Sequence, residues 1–196
     1  MRLSDHQVRE RIRRLCTANF HRKIPEGNER WLSAYADASY AEHGEHPGAS
    51  WGVWIRTNRH RVLRAGPCPR WVFGTGSTYA ELCGVYTAIV TALDGLDDRA
   101  NIMVVKTDCQ GVRQWFGWGG RLRFPPESEA LRMVLDAFER ADAAGVRLVI
   151  KWVRGHAKKD TTQGYLNHRV DQMAIKARHT NRIVDWSVEV DQPVAS

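Results

Sequence analysis

The spacing of apolar and polar residues predicts five strands along the chain. Three short apolar stretches, 31–39, 51–57 and 62–66, are separated by polar turns, which is typical of consecutive antiparallel strands. Two later runs, 102–106 and 146–153, are largely apolar, as expected for strands whose two faces are both buried. The pattern therefore predicts three antiparallel strands followed by two parallel strands.

Apolar residues at helical spacing predict the elements that connect these strands. Helices are expected over 78–94, over 127–143 and over 165–179, and a short helix is expected after residue 108. Early hairpins followed by alternating helices and strands indicate an α/β fold, in which helices flank a mixed five-stranded sheet.

Residues 1–30 differ in character from the rest of the chain. Ser4 or Asp5 is a suitable helix cap, and apolar residues then recur at helical spacing: Val8, Ile12 and Leu15. Basic residues are frequent here, and Pro25 and Gly27 interrupt the helical pattern. We expect a basic helical extension with a linker over 1–30, a main domain over 31–180 and a C-terminal tail over 181–196.

Composition narrows the class of protein. The 196 residues suffice for one domain with a sizeable core, and 43% of them are hydrophobic. No apolar run approaches the roughly 18 residues of a membrane span, and the N-terminus lacks a secretory signal pattern. Four scattered cysteines favour reduced thiols in a cytoplasmic protein. A net charge of +7 favours an anionic partner such as nucleic acid.

Four carboxylates stand at the ends of predicted elements. Asp37 and Asp108 each follow a strand-like run, whereas Glu81 and Asp171 lie near the starts of helical patterns. Gathered in one place, they would form an all-oxygen pocket that suits Mg²⁺ or Mn²⁺. Such a pocket points to phosphodiester chemistry.

Two of these acids also have ordinary structural explanations. Thr78 and Glu81 have the spacing of a capping box, and Asp108 could cap the short helix that follows it. Asp37 lies in a strand, where Asp is disfavoured, and Asp171 lies close to the apolar face of its helix. One shared site explains all four acids more simply than four separate roles.

Short motifs in a fixed order resemble type 1 ribonucleases H. They are Tyr-Ala-Asp-Ala-Ser (35–39), Tyr-Ala-Glu-Leu (79–82), Thr-Asp-Cys-Gln (107–110), Val-Arg-Gly-His-Ala (153–157) and Asn-His-Arg-Val-Asp-Gln-Met-Ala (167–174). The resemblance covers roughly residues 31–180, and each motif falls on the expected type of element. It implies the ribonuclease H-like fold and an endonuclease that hydrolyses the RNA strand of RNA–DNA hybrids.

The resemblance also implies a catalytic apparatus. The four catalytic acids of the family match Asp37, Glu81, Asp108 and Asp171, and its mobile-loop histidine matches His156. Two Mg²⁺ ions about 4 Å apart, replaceable by Mn²⁺, would clamp the scissile phosphate. Asp37 would bridge the ions, one of which lowers the pKa of the attacking water while the other stabilises the leaving 3′ oxygen.

Several residues are candidates for substrate binding. Gln110 matches a family residue that contacts the RNA strand, and Asn167 matches the Asn that precedes the last catalytic acid. Ser77 and Thr78 stand where the family often has Asn, so their hydroxyls replace an amide there. The long loop after His156 adds Lys158, which is able to reach a phosphate.

Segment 111–126 alternates basic and aromatic residues where many family members carry a basic helical handle. Arg113, Trp118, Arg121 and Arg123 are its candidates for contacts with a nucleic-acid backbone or sugar surface. We expect at least one of its neighbouring aromatic residues to be buried and the arginines to be exposed.

Other functions fit parts of the sequence. A DNA-directed nuclease of the same fold, such as a resolvase or transposase, would share the acids, but the Gly-His…Asn-x-x-x-Asp pattern argues against it. A non-catalytic hybrid-binding module gains nothing from four acids that face phosphates. We expect a monomer without membrane attachment. Its N-terminal helix is a hybrid-binding arm, a docking site for a protein partner, or an extension packed on the domain through Val8, Ile12 and Leu15.

Overall fold

A mixed six-stranded sheet forms the centre of the molecule. The computed structural model describes residues 3–57, 60–94, 99–118, 121–155 and 161–189. The strands are β1 (Trp31–Ala41), β2 (Gly48–Arg56), β3 (His60–Pro67), β4 (Ile102–Thr107), β5 (Arg147–Trp152) and β6 (Val184–Glu189). Their order across the sheet is β5-β4-β1-β2-β3-β6. Strands β1, β4 and β5 run parallel, and β2, β3 and β6 pair antiparallel with their neighbours.

Helices cover both faces of this sheet. They are α1 (Asp5–His21), α2 (Ser77–Leu93), α3 (Gln110–Trp115), α4 (Ser128–Ala143) and α5 (Thr162–Thr180). The larger hydrophobic core joins one face of the sheet to α1, α2 and α4. A smaller cluster, centred on Tyr35, Leu63 and Val170, joins the opposite face to α5. No helix among the described residues is long and apolar enough to cross a membrane.

The predicted α/β architecture is confirmed, but the sheet has six strands rather than five. The sixth strand, β6, lies in the region predicted as a C-terminal tail. It pairs antiparallel with β3 from Ala65↔Val184 to His60↔Glu189. This pairing satisfies backbone groups that would otherwise be free at the edge of β3. The alternation of apolar and polar residues over 184–189 is typical of an edge strand with one covered face, and the prediction of an irregular tail overlooked it.

Helix α5 approaches the sheet closely at a glycine of β2. A Cβ atom on Gly52 would lie 2.5 Å from the carbonyl oxygen of Val170, so only glycine permits this spacing. Nearby, the Ser50 hydroxyl donates a hydrogen bond of 2.6 Å to the carbonyl of Ala174. These contacts set the height of α5 above β1 and β2, and with it the positions of Asn167 and Asp171.

Helix α1 packs against α4 and the free edge of β5. Its N-cap is Ser4, which forms a capping box with Gln7. Val8 and Ile12 are fully buried in the main core. The helix and β6 therefore pack onto the unit that the sequence predicts over 31–180.

Candidate active site

Parallel pairing of β1 and β4 brings two of the predicted acids together. Tyr35 pairs with Lys106, so Asp37 and Asp108 each lie two residues beyond the same pair. Glu81 comes from the second turn of α2. One carboxylate oxygen from each of the three residues lies within 4.8 Å of the others, and we call Asp37, Glu81 and Asp108 the carboxylate cluster.

Close packing of α2 on β1 places Glu81 in this cluster. A Cβ atom on Gly84 would lie 3.1 Å from the carbonyl oxygen of Asp37, so the missing side chain lets the helix approach the strand. The capping-box explanation of Glu81 is wrong, because α2 has Gly76 at its N-cap and no side-chain cap. Asp108 is not a helix cap either, since Cys109 is the N-cap residue of α3.

Burial dominates the electrostatics of the cluster. Asp37 is only 8% exposed, and its Oδ1 accepts a hydrogen bond of 2.8 Å from the backbone N–H of Ala38. Loss of hydration, and then the charge of Asp108, raise the pKa of Asp37 from 3.8 to about 7. The same two effects, burial first and then the charge of Asp37, raise the pKa of Glu81 well above its ordinary value.

Asp171, the fourth predicted acid, lies near the carboxylate cluster but is not one of its three members. It lies half-buried on α5, and its charge contributes to the raised pKa of Asp37. On the preceding turn, the buried Asn167 donates from Nδ2 to Asp37 Oδ2 at 3.5 Å. Three of the four predicted acids are thus within 4.8 Å of one another, and α5 brings the fourth close enough to act on Asp37.

Two further residues support Asp108: Trp152, which the sequence analysis did not single out, and Gly155, which it noted only as part of a motif. The indole N–H of Trp152 donates a hydrogen bond of 2.8 Å to the backbone carbonyl of Asp108. A Cβ atom on Gly155 would lie 2.3 Å from Asp108 Oδ2, so a larger residue here would displace the carboxylate or the backbone. A tryptophan at the end of β5 and a glycine three residues after it were the available sequence signals.

The predicted substrate-binding residues lie on α2, α3 and the segment after α3. Ser77 and Thr78 begin α2, and a Cβ atom on Gly111 of α3 would lie 3.1 Å from Thr78 Cγ2, so the starts of the two helices touch. A cavity of about 230 Å³, here called the arginine cavity, is lined by Gln110, Arg113, Gln114, Trp118, Arg121 and Arg123.

Burial in the 111–126 segment follows the expectation for the aromatic residues and for two of the three arginines, whereas Arg113 is half-buried. Trp115 and Phe116 are buried in the core, whereas Arg121 and Arg123 are exposed. His156 and Lys158, which were predicted to assist catalysis and to bind phosphate, lie outside the described residues.

The carboxylate cluster fits a divalent cation. Its donors are hard oxygens from three side chains, the set that Mg²⁺ and Mn²⁺ prefer. Glu81 Oε2 is buried and has no hydrogen-bond partner, so this acceptor is available to a ligand. Loss of hydration and then repulsion between the clustered carboxylates raise the pKa of Asp37. A bound cation would offset the repulsion.

Known proteins resemble this chain in structure. Neither the protein-family models nor the curated proteins include a match to the sequence. RNase H1 from the halophilic archaeon Halobacterium salinarum NRC-1 is 16% identical, and the alignment covers 75% of this chain and 96% of that chain with a TM-score of 0.51.

Two further ribonuclease structures resemble this chain with similar sequence identities, coverages and TM-scores. LC11-RNase H1, solved in complex with an RNA/DNA hybrid, is 14% identical, covering 76% of this chain and 97% of that one (TM-score 0.52). LC9-RNase H1, described as a type 1 RNase H with the type 2 active-site motif, is 23% identical, covering 84% and 80% (TM-score 0.50). The chain therefore has the ribonuclease H fold, and its predicted resemblance to type 1 ribonucleases H is confirmed at this level.

Proposed function

We propose that this protein is an endonuclease that hydrolyses the RNA strand of RNA–DNA hybrids with divalent metal ions. The observation that carries the proposal is the carboxylate cluster, in which the buried Asp37 of β1 meets the half-buried Glu81 of α2 and the half-buried Asp108 just beyond β4. Ligands of open α/β sheets bind at such strand ends. The ribonuclease H fold adds support, as does the known hybrid complex of LC11-RNase H1.

The proposed metal ligands are Asp37, Glu81, Asp108 and Asp171. Two Mg²⁺ ions, or Mn²⁺ in their place, would supply Lewis-acid activation of the scissile phosphate and of the attacking water. The backbone N–H of Ala38 and the amide of Asn167 hold the two oxygens of Asp37 in place. Trp152 and Gly155 position Asp108 from the other side of the cluster.

Metal binding to the cluster is coupled to the release of a proton. With a pKa of about 7, Asp37 retains a proton in much of the metal-free protein near neutral pH. Because a carboxylate must be ionised to bind a cation, metal binding displaces that proton. We propose that His156, which follows Gly155, assists proton transfer or product release.

The remaining candidates supply substrate contacts. Gln110, Ser77, Thr78 and Asn167 would contact the strand near the cleavage point, and Lys158 would reach a phosphate. Arg113, Arg121, Arg123 and Trp118 of the arginine cavity would hold the backbone at a distance from that point. We further propose a monomeric enzyme whose catalytic unit spans 31–180. Its four unpaired cysteines suit the reducing cytoplasm.

A cleavage assay on four labelled substrates tests the proposal. Single-stranded RNA, double-stranded RNA, double-stranded DNA and an RNA–DNA hybrid are each incubated with protein and Mg²⁺. Only the hybrid should be cut, and EDTA should abolish the cut. Asp37→Asn and Asp108→Asn should each lower the rate of hybrid cleavage more than about a hundredfold. Each variant removes a direct metal ligand, and loss of a residue that only supports a ligand already costs about 10- to 100-fold.

The matched control is Asp94→Asn, which changes an exposed aspartate at the far end of α2. It should cut at the wild-type rate. Cleavage of a DNA junction without cleavage of the hybrid would favour a DNA-directed nuclease. Equal rates for Asp37→Asn and wild type would remove the carboxylate cluster from the reaction.

A further inference from the structure

Helix α1 is fixed to the free edge of the sheet. The side-chain amide of Asn19 donates to the carbonyl of Leu148 at 2.9 Å and accepts from its N–H at 2.8 Å. These two bonds pair α1 with the outer side of β5, where a further strand would otherwise bind. Arg22 and Asp142 form an ion pair of 2.5 Å that joins the end of α1 to α4. The last turn of α1 therefore has a defined position.

The same helix lies against the segment after α3. A Cβ atom on Gly117 would lie 2.4 Å from Cys16 Sγ, so this glycine admits the helix at close range. Cys16 also donates a weak hydrogen bond of 3.9 Å to the carbonyl of Phe116. The guanidinium of Arg13 lies over the ring of Phe124, 5.0 Å from its centroid. Helix α1 and the arginine-bearing segment thus form one continuous surface.

Two aromatic rings meet on this surface. Phe20 of α1 is 57% exposed, and its ring centroid lies 6.2 Å from that of the half-buried Trp118. Trp118 also lines the arginine cavity, whose described lining contains three arginines and no acidic residue. Single exposed apolar residues are common on protein surfaces. Phe20 differs from such residues because its ring lies beside Trp118, and Trp118 lines a cavity that contains three arginines.

The chemistry of this surface favours an unpaired nucleic-acid strand. Arginines bind phosphates, and exposed aromatic rings stack on base faces, a combination typical of single-strand binding. Inside a duplex, the bases are already stacked on one another and their faces are inaccessible. An aromatic pair of this kind therefore gains most from a strand that has left the duplex.

We propose that Phe20 and Trp118, together with the arginines of the cavity, bind a single-stranded DNA extension that continues from the hybrid. Gln110 lines the cavity and lies two residues beyond Asp108, so the surface adjoins the carboxylate cluster. The inference rests on the proposed function for the hybrid to which the single strand is joined. Helix α1, which lies outside the sequence resemblance, supplies half of the aromatic pair.

Fluorescence anisotropy in EDTA tests this inference without any cleavage. Three fluorescent ligands are compared: a single-stranded DNA oligonucleotide, a blunt RNA–DNA hybrid, and the same hybrid with a single-stranded DNA extension. Phe20→Leu keeps an apolar side chain but removes the ring. It should weaken binding of the single strand about tenfold and cancel the affinity gained from the extension, while the blunt hybrid binds as before.

Two further variants separate stacking from packing. Phe20→Tyr retains the ring and should bind all three ligands like the wild type. Trp186→Ala removes another exposed aromatic side chain, on β6 at the opposite edge of the sheet, and should also leave all three affinities unchanged.

Three results would overturn the inference. The first is that Phe20→Leu binds the single strand with wild-type affinity. The second is that Phe20→Leu loses as much affinity for the blunt hybrid as for the single strand, which would place the rings against duplex sugars. The third is that Trp186→Ala loses as much affinity for the single strand as Phe20→Leu does. Because binding is measured without metal, these outcomes are independent of catalysis. If the protein binds the extension through Phe20 but cuts no hybrid, the proposed function is refuted and the inference about single-strand binding stands.

Discussion

The carboxylate cluster and the aromatic–arginine surface both lie near the start of α3, yet they are built in opposite ways. The cluster consists only of buried or half-buried acids and is positioned by strand pairing and by glycines at close contacts. The surface is exposed, carries arginines and aromatic rings, and depends on the packing of α1. Its positive charge suits phosphates, whereas the cluster would repel them without cations.

This difference separates two requirements of the proposed reaction. Catalysis needs carboxylates held within a few tenths of an ångström, and a rigid framework of strands supplies that accuracy. Binding of a flexible strand tolerates looser geometry, because every base has a face on which a ring can stack. We therefore expect changes in the cluster to alter metal binding and stability, and changes in the surface to alter affinity and salt dependence.

The largest expected effect is on the stability of the metal-free protein. The pKa of Asp37 is about 7 in the folded protein against an ordinary 3.8, so the native state binds this proton more tightly than the unfolded chain. The contribution of Asp37 to the free energy of unfolding should therefore be largest below about pH 4 and be lost as the pH rises through 7. This shift of roughly 3 pKa units corresponds to a loss of up to about 4 kcal/mol.

Urea unfolding in EDTA between pH 4.5 and pH 8 measures this loss. Asp37→Asn should reduce the fall and leave the variant more stable than the wild type at pH 8. Asp94→Asn should follow the wild-type curve. A wild-type stability that rises over this range would contradict the electrostatic description of the cluster.

Asn19 tests whether α1 is an integral part of the fold. Asn19→Ala removes two hydrogen bonds and leaves the N–H and carbonyl of Leu148 without their partner. We expect a loss of about 2–3 kcal/mol in the free energy of unfolding. Thr17→Ala, an exposed change on the same helix, should cost less than about 0.5 kcal/mol. Equal stabilities of the two variants would show that α1 is only loosely attached.

Gly155 tests how accurately the cluster must be held. In Gly155→Ala the new methyl group would lie 2.3 Å from Asp108 Oδ2, so the carboxylate or the backbone must move. We expect metal affinity, measured by calorimetry, and hybrid cleavage to fall about 10- to 100-fold. Arg154→Ala changes an exposed neighbour and should keep the wild-type metal affinity. Unchanged metal binding in Gly155→Ala would mean that Asp108 tolerates displacement.

The smallest expected effect is on the salt dependence of binding. The double variant Arg121→Ala, Arg123→Ala should weaken single-strand binding about tenfold and reduce the slope of log affinity against log salt by about 1.4. Arg56→Ala with Arg61→Ala removes the same charge from exposed positions on β2 and β3. That control should keep the original slope. An identical slope in both double variants would exclude the arginine cavity from the binding surface.

The cluster was predictable from sequence because its signals are local. Asp37 and Asp108 follow apolar strands, and parallel strands bring their carboxyl ends to one edge of a sheet. The capping-box explanation of Glu81 failed because Gly76, rather than Thr78, is the N-cap residue of α2. In the sequence, the spacing of Glu81 from Thr78 suited a capping role and a role in the cluster equally. The packing of Gly84 on β1, which places Glu81 beside Asp37, favours the cluster.

Long-range contacts were beyond the reach of the sequence patterns. Strand β6 pairs with the edge of β3, and its residues, Val-Asp-Trp-Ser-Val-Glu (184–189), alternate apolar and polar, a strand signal that the sequence analysis did not use. The bonds of Asn19 to β5 and the contact of Phe20 with Trp118 join residues about a hundred or more positions apart. Helical spacing predicted α1 and its buried Val8 and Ile12, but it contained no information on which surface the helix would complete.

The central claim is that the carboxylate cluster cuts the RNA strand of a hybrid. The most direct measurement uses one RNA–DNA hybrid labelled at either the RNA or the DNA 5′ end, incubated with Mg²⁺ and with wild-type protein or Asp37→Asn. We predict that the wild type shortens the labelled RNA, leaves the labelled DNA intact, and loses this activity in Asp37→Asn. Shortening of the DNA strand, or RNA cleavage that persists in Asp37→Asn, would contradict the account.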